Sequence, residues 1–193
     1  MDKSNGYEGV ASQFLKGRGI AINGIGKSTV YKWAQSLQPG SVILDIGCGT
    51  GIPVSKVLVD AGMIVYGIDA SPTLANAFHE NFPDLPIACE AAEESEFFGR
   101  QFDGIISVGL MFLLSEESQI MVINKVSSAL KQGGKFLFTA TYSAHIWNDA
   151  MTDQPSISLG ADRYRELIAA SGLSVIDEFK DEGGNYYFSS TRL

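Results

Sequence analysis

The 193-residue sequence predicts an α/β fold: a mainly parallel sheet with helices on both faces. Three observations carry this. Short apolar runs alternate with helical stretches along most of the chain. The runs are continuous more than alternating, as expected of strands buried on both faces. The last two runs are joined only by a short Gly-Gly turn, so the final strand should run antiparallel to its neighbour.

The elements follow in order. Residues 1–38 read as a helical N-terminal segment and 40–193 as the core of one domain spanning 1–193, a length that suits a single sizeable core. The strand candidates are "SVILDI" (41–46), "MIVYGI" (63–68), "PIA" (86–88), "FDGIISV" (102–108), "GKFLFTA" (134–140), "LSVIDEF" (173–179) and "YYFSST" (186–191). Ser71-Pro72 reads as an N-cap followed by the first helical residue of "TLANAFHENF". Ser115, with Glu116 and Glu117 after it, starts a second helix whose apolar stripe is Ile120, Ile123, Val126 and Leu130. "ADRYRELIAASG" is a third, with Gly172 placed to end it.

The composition narrows the classes of function. Hydrophobic residues make up 45% and charged residues 19%, an ordinary globular balance. The formal charge of −8, without any Lys/Arg run, offers no footprint for a phosphate backbone or an anionic membrane. Neither nucleic acid nor membrane is expected as a partner. Cys48 and Cys89 lie in unlike settings, which argues against a disulfide framework and for a reducing compartment. The start, "MDKSNGYEGV", lacks the apolar core of a signal peptide, and the longest apolar run, "IISVGLMFLL", is too short to span a bilayer. A cytoplasmic location is the expectation.

Two glycine clusters compete for a phosphate or nucleoside ligand. "AINGIGKST" (21–29) fits a loose phosphate-loop pattern with Lys27 and Ser28. The helix after it is present, but "FLKGRGIA" makes a poor buried strand, so the bland reading is a flexible lead into a helix. "VILDIGCGTGIP" (42–53) has the better context: a strand ending at Ile46, glycines at 47, 49 and 51, then a helix with Pro53 in its first turn. Glycines let the chain bend sharply and let a ligand approach the main chain. A helix N-terminus adds unpaired N–H groups.

The spacing sorts the ligand. A dinucleotide fingerprint is G-x-G-x-x-G, whereas this loop is G-x-G-x-G preceded by Asp45. A carboxylate there would repel a pyrophosphate and suit an ammonium group beside a carboxylate, as in a methionine moiety. That favours S-adenosylmethionine over NAD. Asp69 ends the next strand, "VYGIDAS", 22 residues after Gly47, where an acid can accept from both ribose hydroxyls.

These motifs resemble the class I S-adenosylmethionine-dependent methyltransferases over about residues 40 to 191. "VILDIGCGTG" resembles the family's first motif and "VYGIDAS" its second. "ACEAAEESEF" resembles the third, "FDGIISVGLMFLL" the fourth, and "ALKQGGKFLFT" the approach to the fifth strand. The resemblance implies a Rossmann-like seven-stranded sheet of order 3-2-1-4-5-7-6, mostly parallel, with an antiparallel last strand. It implies S-adenosylmethionine as cofactor, held by Asp45, Gly47, Gly49, Gly51, Asp69 and the adjoining Ala70. Glu90 and Ala91 would meet the adenine, and Ser107, Val108 and Gly109 would border the cofactor. A basic residue of the N-terminal segment often holds the methionine carboxylate, and Arg18 is the candidate here. Where amine and DNA methyltransferases commonly carry Asn/Asp-Pro-Pro-Tyr, this chain has "SVGL", which points away from nucleobase or glutamine-amide methylation.

The methyl acceptor should meet the same sheet edge. "TYSAHIWNDAMTDQPSIS" reads as a long functional loop carrying Tyr142, His145, Trp147, Asn148 and Asp149. "KDEGGNYYF" adds Asp181 and Glu182, and Met111 and Phe112 an apolar wall. His145 is the obvious candidate base, and His79 reads as scaffold. An in-line displacement at an activated methyl asks mainly for alignment and dryness. No catalytic residue and no metal site is therefore assigned. The reading is methyl transfer to an O, N or S atom of a small molecule. A non-catalytic S-adenosylmethionine-binding module, an NAD-linked oxidoreductase and a phosphate-loop triphosphatase are the alternatives.

Overall fold

A computed structural model of the chain describes residues 2–17, 24 and 26–193. Seven strands form the main sheet: β1 (Val42–Ile46), β2 (Ile64–Asp69), β3 (Ile87–Cys89), β4 (Phe102–Ser107), β5 (Leu130–Ala140), β8 (Leu173–Lys180) and β9 (Tyr186–Arg192). Their order is β3-β2-β1-β4-β5-β9-β8. Counted along the sheet's own strands, this is the expected 3-2-1-4-5-7-6. The first five are parallel, while β9 runs antiparallel to both β5 and β8. The Gly-Gly turn explains the reversal: it returns the chain at once, and only an antiparallel neighbour can be reached that way.

The continuous apolar runs have the meaning expected of them. Neighbouring residues of one strand enter opposite cores. Leu44, Ile105, Phe136 and Phe138 join one buried cluster. Ile43, Ile106 and Leu137 join the other. Side chains of successive strand residues point to opposite faces, so a strand covered on both sides must be apolar throughout. The first cluster is closed by α5 (Glu116–Ala129) and α6 (Ala161–Ala170), the second by α2 (Lys27–Gln35) and α3 (Val54–Asp60). Two further α-helices among the described residues are α1 (Tyr7–Lys16) and α4 (Pro72–Asn81). No helix among the described residues is long and apolar enough to cross a membrane.

The expected caps are present. Ser71 Oγ accepts from Leu74 N at 3.2 Å, with Pro72 as the first helical residue. Ser115 Oγ accepts from Ser118 N at 3.2 Å, and Gly172, at φ 83°, ends α6. Two expectations are corrected. The loop after β5 contains a hairpin, β6 (His145–Asn148) with β7 (Pro155–Ser158), paired Trp147 to Ser156. The buried residues of α5 are Gln119, Val122, Ile123, Val126 and Ser127, which keeps Ile123 and Val126 of the expected stripe, while Leu130, also buried, already begins β5. Gln119 is tolerated there because its amide is fully used. It donates to Leu114 O and Ile157 O and accepts from Tyr164 Oη.

Candidate functional site

β1, β2 and β4 end at one sheet edge, and a cleft of about 960 Å³ opens there. Ligands of open α/β sheets bind outside the carboxyl ends of the strands, and this volume sits at the upper end of the usual ~300–1,000 Å³ for ligand pockets. Asp45, Gly47, Gly49, Asp69, Ala70, Glu90, Ala91, Val108 and Gly109, all named from the sequence, line it together.

The glycine loop owes its shape to backbone angles that side chains resist. Gly47 and Gly49 have φ of 72° and 55°. A Cβ at Gly47 would lie 2.9 Å from Leu110 Cβ. Two main-chain N–H groups, of Gly47 and Cys48, bond to Ile68 O at 2.8 and 3.0 Å and clamp the bend to the end of β2. Asp69 completes the clamp. Its carboxylate accepts from Gly49 N at 2.8 Å and from Ser71 N at 2.9 Å.

Two buried acids face this cleft. Asp45 is 1% exposed and accepts from Ser55 Oγ at 2.6 Å. Burial pushes its pKa up to about 7, against the pull of the Ser55 hydroxyl and with help from the nearby Asp69 charge. Asp69, 9% exposed, is also raised by burial, opposed by its two main-chain hydrogen bonds. A carboxyl group this dry, with one hydroxyl for company, is a good partner for a ligand cation. Glu90 is held by the Ser95 hydroxyl at 2.5 Å.

Several named residues have other work. Gly51 does not line the cleft. At φ 77° it makes room for a ring: a Cβ there would meet Phe82 at 2.5 Å and Phe78 at 2.9 Å. Ser107 is fully buried behind the cleft wall. Met111 is core, while Phe112 does line the cleft. Arg18 lies outside the described residues. His79 is exposed on α4.

The expected acceptor loop is displaced from the cleft by its own hairpin. Tyr142 lines a second, smaller cavity. His145 is exposed on β6, its Nδ1 3.0 Å from Ser143 O and its ring stacked on Trp147 at 4.6 Å. Trp147 reaches the cleft only at second hand, through Phe112 at 5.5 Å. Asp149 organises the β6–β7 turn by accepting from Met151 N and Thr152 N, and Tyr7 Oη reaches it at 3.3 Å. Asn148 donates to Asp153 across the same turn. Asp181 folds the last hairpin turn through Gly183 N and Asn185 N. Glu182 accepts from Gly26 N and Ser28 Oγ, so a carboxylate already occupies the helix start where the phosphate-loop reading needed a phosphate.

Sequence reasoning missed the part of the lining that comes from distant segments. Tyr7 and Phe14 of α1 line the cleft, joined by Thr139 at the end of β5 and Asn185 from the last hairpin. The spacing of Tyr7, Ala11 and Phe14 was the available signal, an apolar stripe on α1. Glu8 fastens that helix to α4, accepting from Ser71 Oγ, from Thr73 Oγ1 at 2.7 Å and from Thr73 N at 3.1 Å. These bonds, the Ser71 hydroxyl foremost, hold its carboxyl below the usual range.

Residues 43–134 match the model of a methyltransferase domain family. An uncharacterized methyltransferase of Anoxybacillus flavithermus is 31% identical over 107 residues, covering 53% of this chain and 48% of that protein. The cypemycin N-terminal methyltransferase of a Streptomyces species is 29% identical over 167 residues, covering 81% of this chain and 62% of that protein. The chain thus spans about half to three-fifths of the length of these curated relatives. Among solved structures, an amino pentose methyltransferase from Micromonospora echinaspora, with SAM bound, superposes with a TM-score of 0.75 at 14% identity, covering 95% and 97% of the two chains.

Proposed function

We propose that this chain is a class I S-adenosylmethionine-dependent methyltransferase and that it transfers a methyl group to an O, N or S atom of a small molecule. The observation that carries this is the pairing of Asp45 and Asp69 in one cleft, either side of a left-handed glycine bend. The fit to the cofactor is chemical. Asp45 is a dry carboxyl that an ammonium group would satisfy. Asp69 keeps lone pairs for ribose hydroxyls after serving two main-chain donors. Gly47 and Gly49 hold the left-handed bend whose main chain the amino-acid tail would meet, while Leu110 and Phe14 pack where their side chains would stand. Glu90 and Ala91 stand where the base would lie, with Val108 and Gly109 on the cleft wall.

S-adenosylmethionine, when bound, supplies a methyl group on a positively charged sulfur. The protein's part is to hold, orient and exclude water. Phe14, Phe112 and Leu110 give the cleft an apolar wall, and α1 covers it. Apart from Lys3, which pairs with Glu94, the charged side chains along the cleft are acids among the described residues. This favours a neutral or cationic acceptor over an anionic one and, with the chain's charge of −8, disfavours nucleic acid. Both cysteines are free thiols, in keeping with a reducing, cytoplasmic setting. We take residues 1–193 to act as one methyltransferase domain.

Thermal shift with S-adenosylmethionine, S-adenosylhomocysteine, NAD and ATP in parallel tests the reading. The first two should stabilise the protein, and Asp69→Asn should remove most of the effect. Stabilisation by NAD or ATP alone would overturn it. Turnover against a panel of amines, thiols, hydroxyls and carboxylates then identifies the acceptor atom.

A further inference from the structure

The helix that covers the cleft, α1, is weakly held by apolar packing. Of its residues only Ala11 is buried, whereas α5 buries five. A helix with so little buried surface opens locally at lower cost than the core does. What fixes it is polar. Glu8 caps the start of α4: its carboxylate accepts from Ser71 Oγ, from Thr73 Oγ1 at 2.7 Å and from Thr73 N at 3.1 Å. Ser71 is shared at this corner, since its N–H donates to Asp69 at 2.9 Å. Further ties are Tyr7 Oη to Asp149 at 3.3 Å and the exposed pair of Lys3 with Glu94. Glycines bound the helix, Gly6 before it at φ 83° and Gly17 after it. On its cleft side, Phe14 stands on the glycine bend. Two of its ring carbons lie 3.6 and 3.7 Å from where a Cβ of Gly49 would be. The main chain that the cofactor's amino-acid tail has to meet is thus covered at Gly49 by a ring of α1.

We propose that α1 is the gate through which the cofactor enters and leaves, with Glu8 on the start of α4 as its latch. This rests on the cofactor reading above. With α1 shut, Phe14 covers the bend, so cofactor exchange has to wait for α1 to lift. Glu8, Ser71 and Thr73 do not line the cleft, and the latch can be made whether the cleft is filled or empty. A contact of equal strength in both states sets the rates of exchange without shifting the binding equilibrium. Its loss therefore raises the on-rate and the off-rate together. The same shut gate keeps water from the reacting methyl once the cofactor is in.

Surface plasmon resonance on the full chain reads the two rates for S-adenosylhomocysteine, and hydrogen exchange reads α1 itself. In the ligand-free wild type the amides of Tyr7–Lys16 should exchange about a hundredfold faster than those of α5. Bound S-adenosylhomocysteine should slow them. Glu8→Ala should raise both rates about tenfold, with Kd within about threefold of wild type. Glu8→Gln should do less, because its amide oxygen can still accept. Thr73→Ala, on the other half of the latch, should raise both rates about threefold. Combining it with Glu8→Ala should add little, since the two act through one contact. An unchanged on-rate in Glu8→Ala, or amides of α1 that exchange only together with the core, would overturn the gate. Failure of the wild type to bind S-adenosylhomocysteine would instead overturn the cofactor reading, while faster exchange of α1 in ligand-free Glu8→Ala would still support the latch.

Discussion

The two walls of the cleft are built in different ways. The wall of Asp45, Gly47, Gly49 and Asp69 comes from 25 consecutive residues and is clamped by main-chain hydrogen bonds. The second wall, of Tyr7, Phe14, Phe112, Thr139 and Asn185, is gathered from almost the full length of the chain and meets the first where Phe14 packs on Gly49. It is held by side chains: Glu8 on α4, Tyr7 on Asp149, and Trp147 against Phe112. A local wall tolerates little change, since one dihedral angle or one carboxylate decides it. An assembled wall can vary piece by piece. The first suits a ligand shared by many proteins and the second a ligand peculiar to one.

Substitutions break or sharpen this contrast. The largest effect should come from pH acting on Asp45. Its folded pKa of about 7 lies above the usual 3.8, so the folded state keeps a proton that the unfolded chain loses. The stability contribution is full below about pH 4 and is lost as pH rises through 7, on the order of 4 kcal/mol in all. Asp69, also raised, adds to the same slope. Melts of the ligand-free protein at pH 5 and pH 8 check this, and Asp45→Asn should flatten much of the dependence while abolishing cofactor binding.

Gly47→Ala comes next, at about 2–3 kcal/mol of stability. It places a Cβ at φ 72° and 2.9 Å from Leu110 Cβ. A denaturation midpoint within error of wild type would show that the bend is not rigid. On the assembled wall, Asp149→Ala should cost less, about 1–2 kcal/mol, by releasing the β6–β7 turn and its link to Tyr7. The acceptor KM should rise severalfold while the Kd for S-adenosylhomocysteine stays within about twofold. A larger loss on the cofactor side would mean the two walls are not independent. The smallest effect is expected of Lys27→Ala, within about 0.5 kcal/mol and without change in any nucleotide affinity, because Glu182 already caps that helix start.

Legibility followed the same division. The place of Asp69 was readable, because a strand end one crossover after a glycine bend falls at the same sheet edge, whereas its two main-chain hydrogen bonds were not. Gly51 looked equivalent to its neighbours, yet its lack of a side chain serves Phe78 and Phe82, rings 27 and 31 residues further along the chain. Asp149 carried the right chemistry for a ligand but is spent on a turn, since its carboxylate meets nearby N–H groups before any ligand can. His145 and Trp147 sat in what looked like an open loop. Four residues on each side pair into a hairpin whose polar pattern gives no strand signal, and the pairing turns His145 outward.

By itself the sequence determined the seven strands of the sheet, the reversal of the last one, the helix caps and the glycine bend with its two acids. These depend on periodicity, on φ values open mainly to glycine, and on residues a few positions apart. Only the tertiary structure decided which side chains line the cleft with that bend, that α1 covers it, and that the hairpin after β5 stands away from it. Those outcomes depend on contacts between residues as far apart as Tyr7 and Asp149, and short-range patterns do not encode which distant surfaces meet.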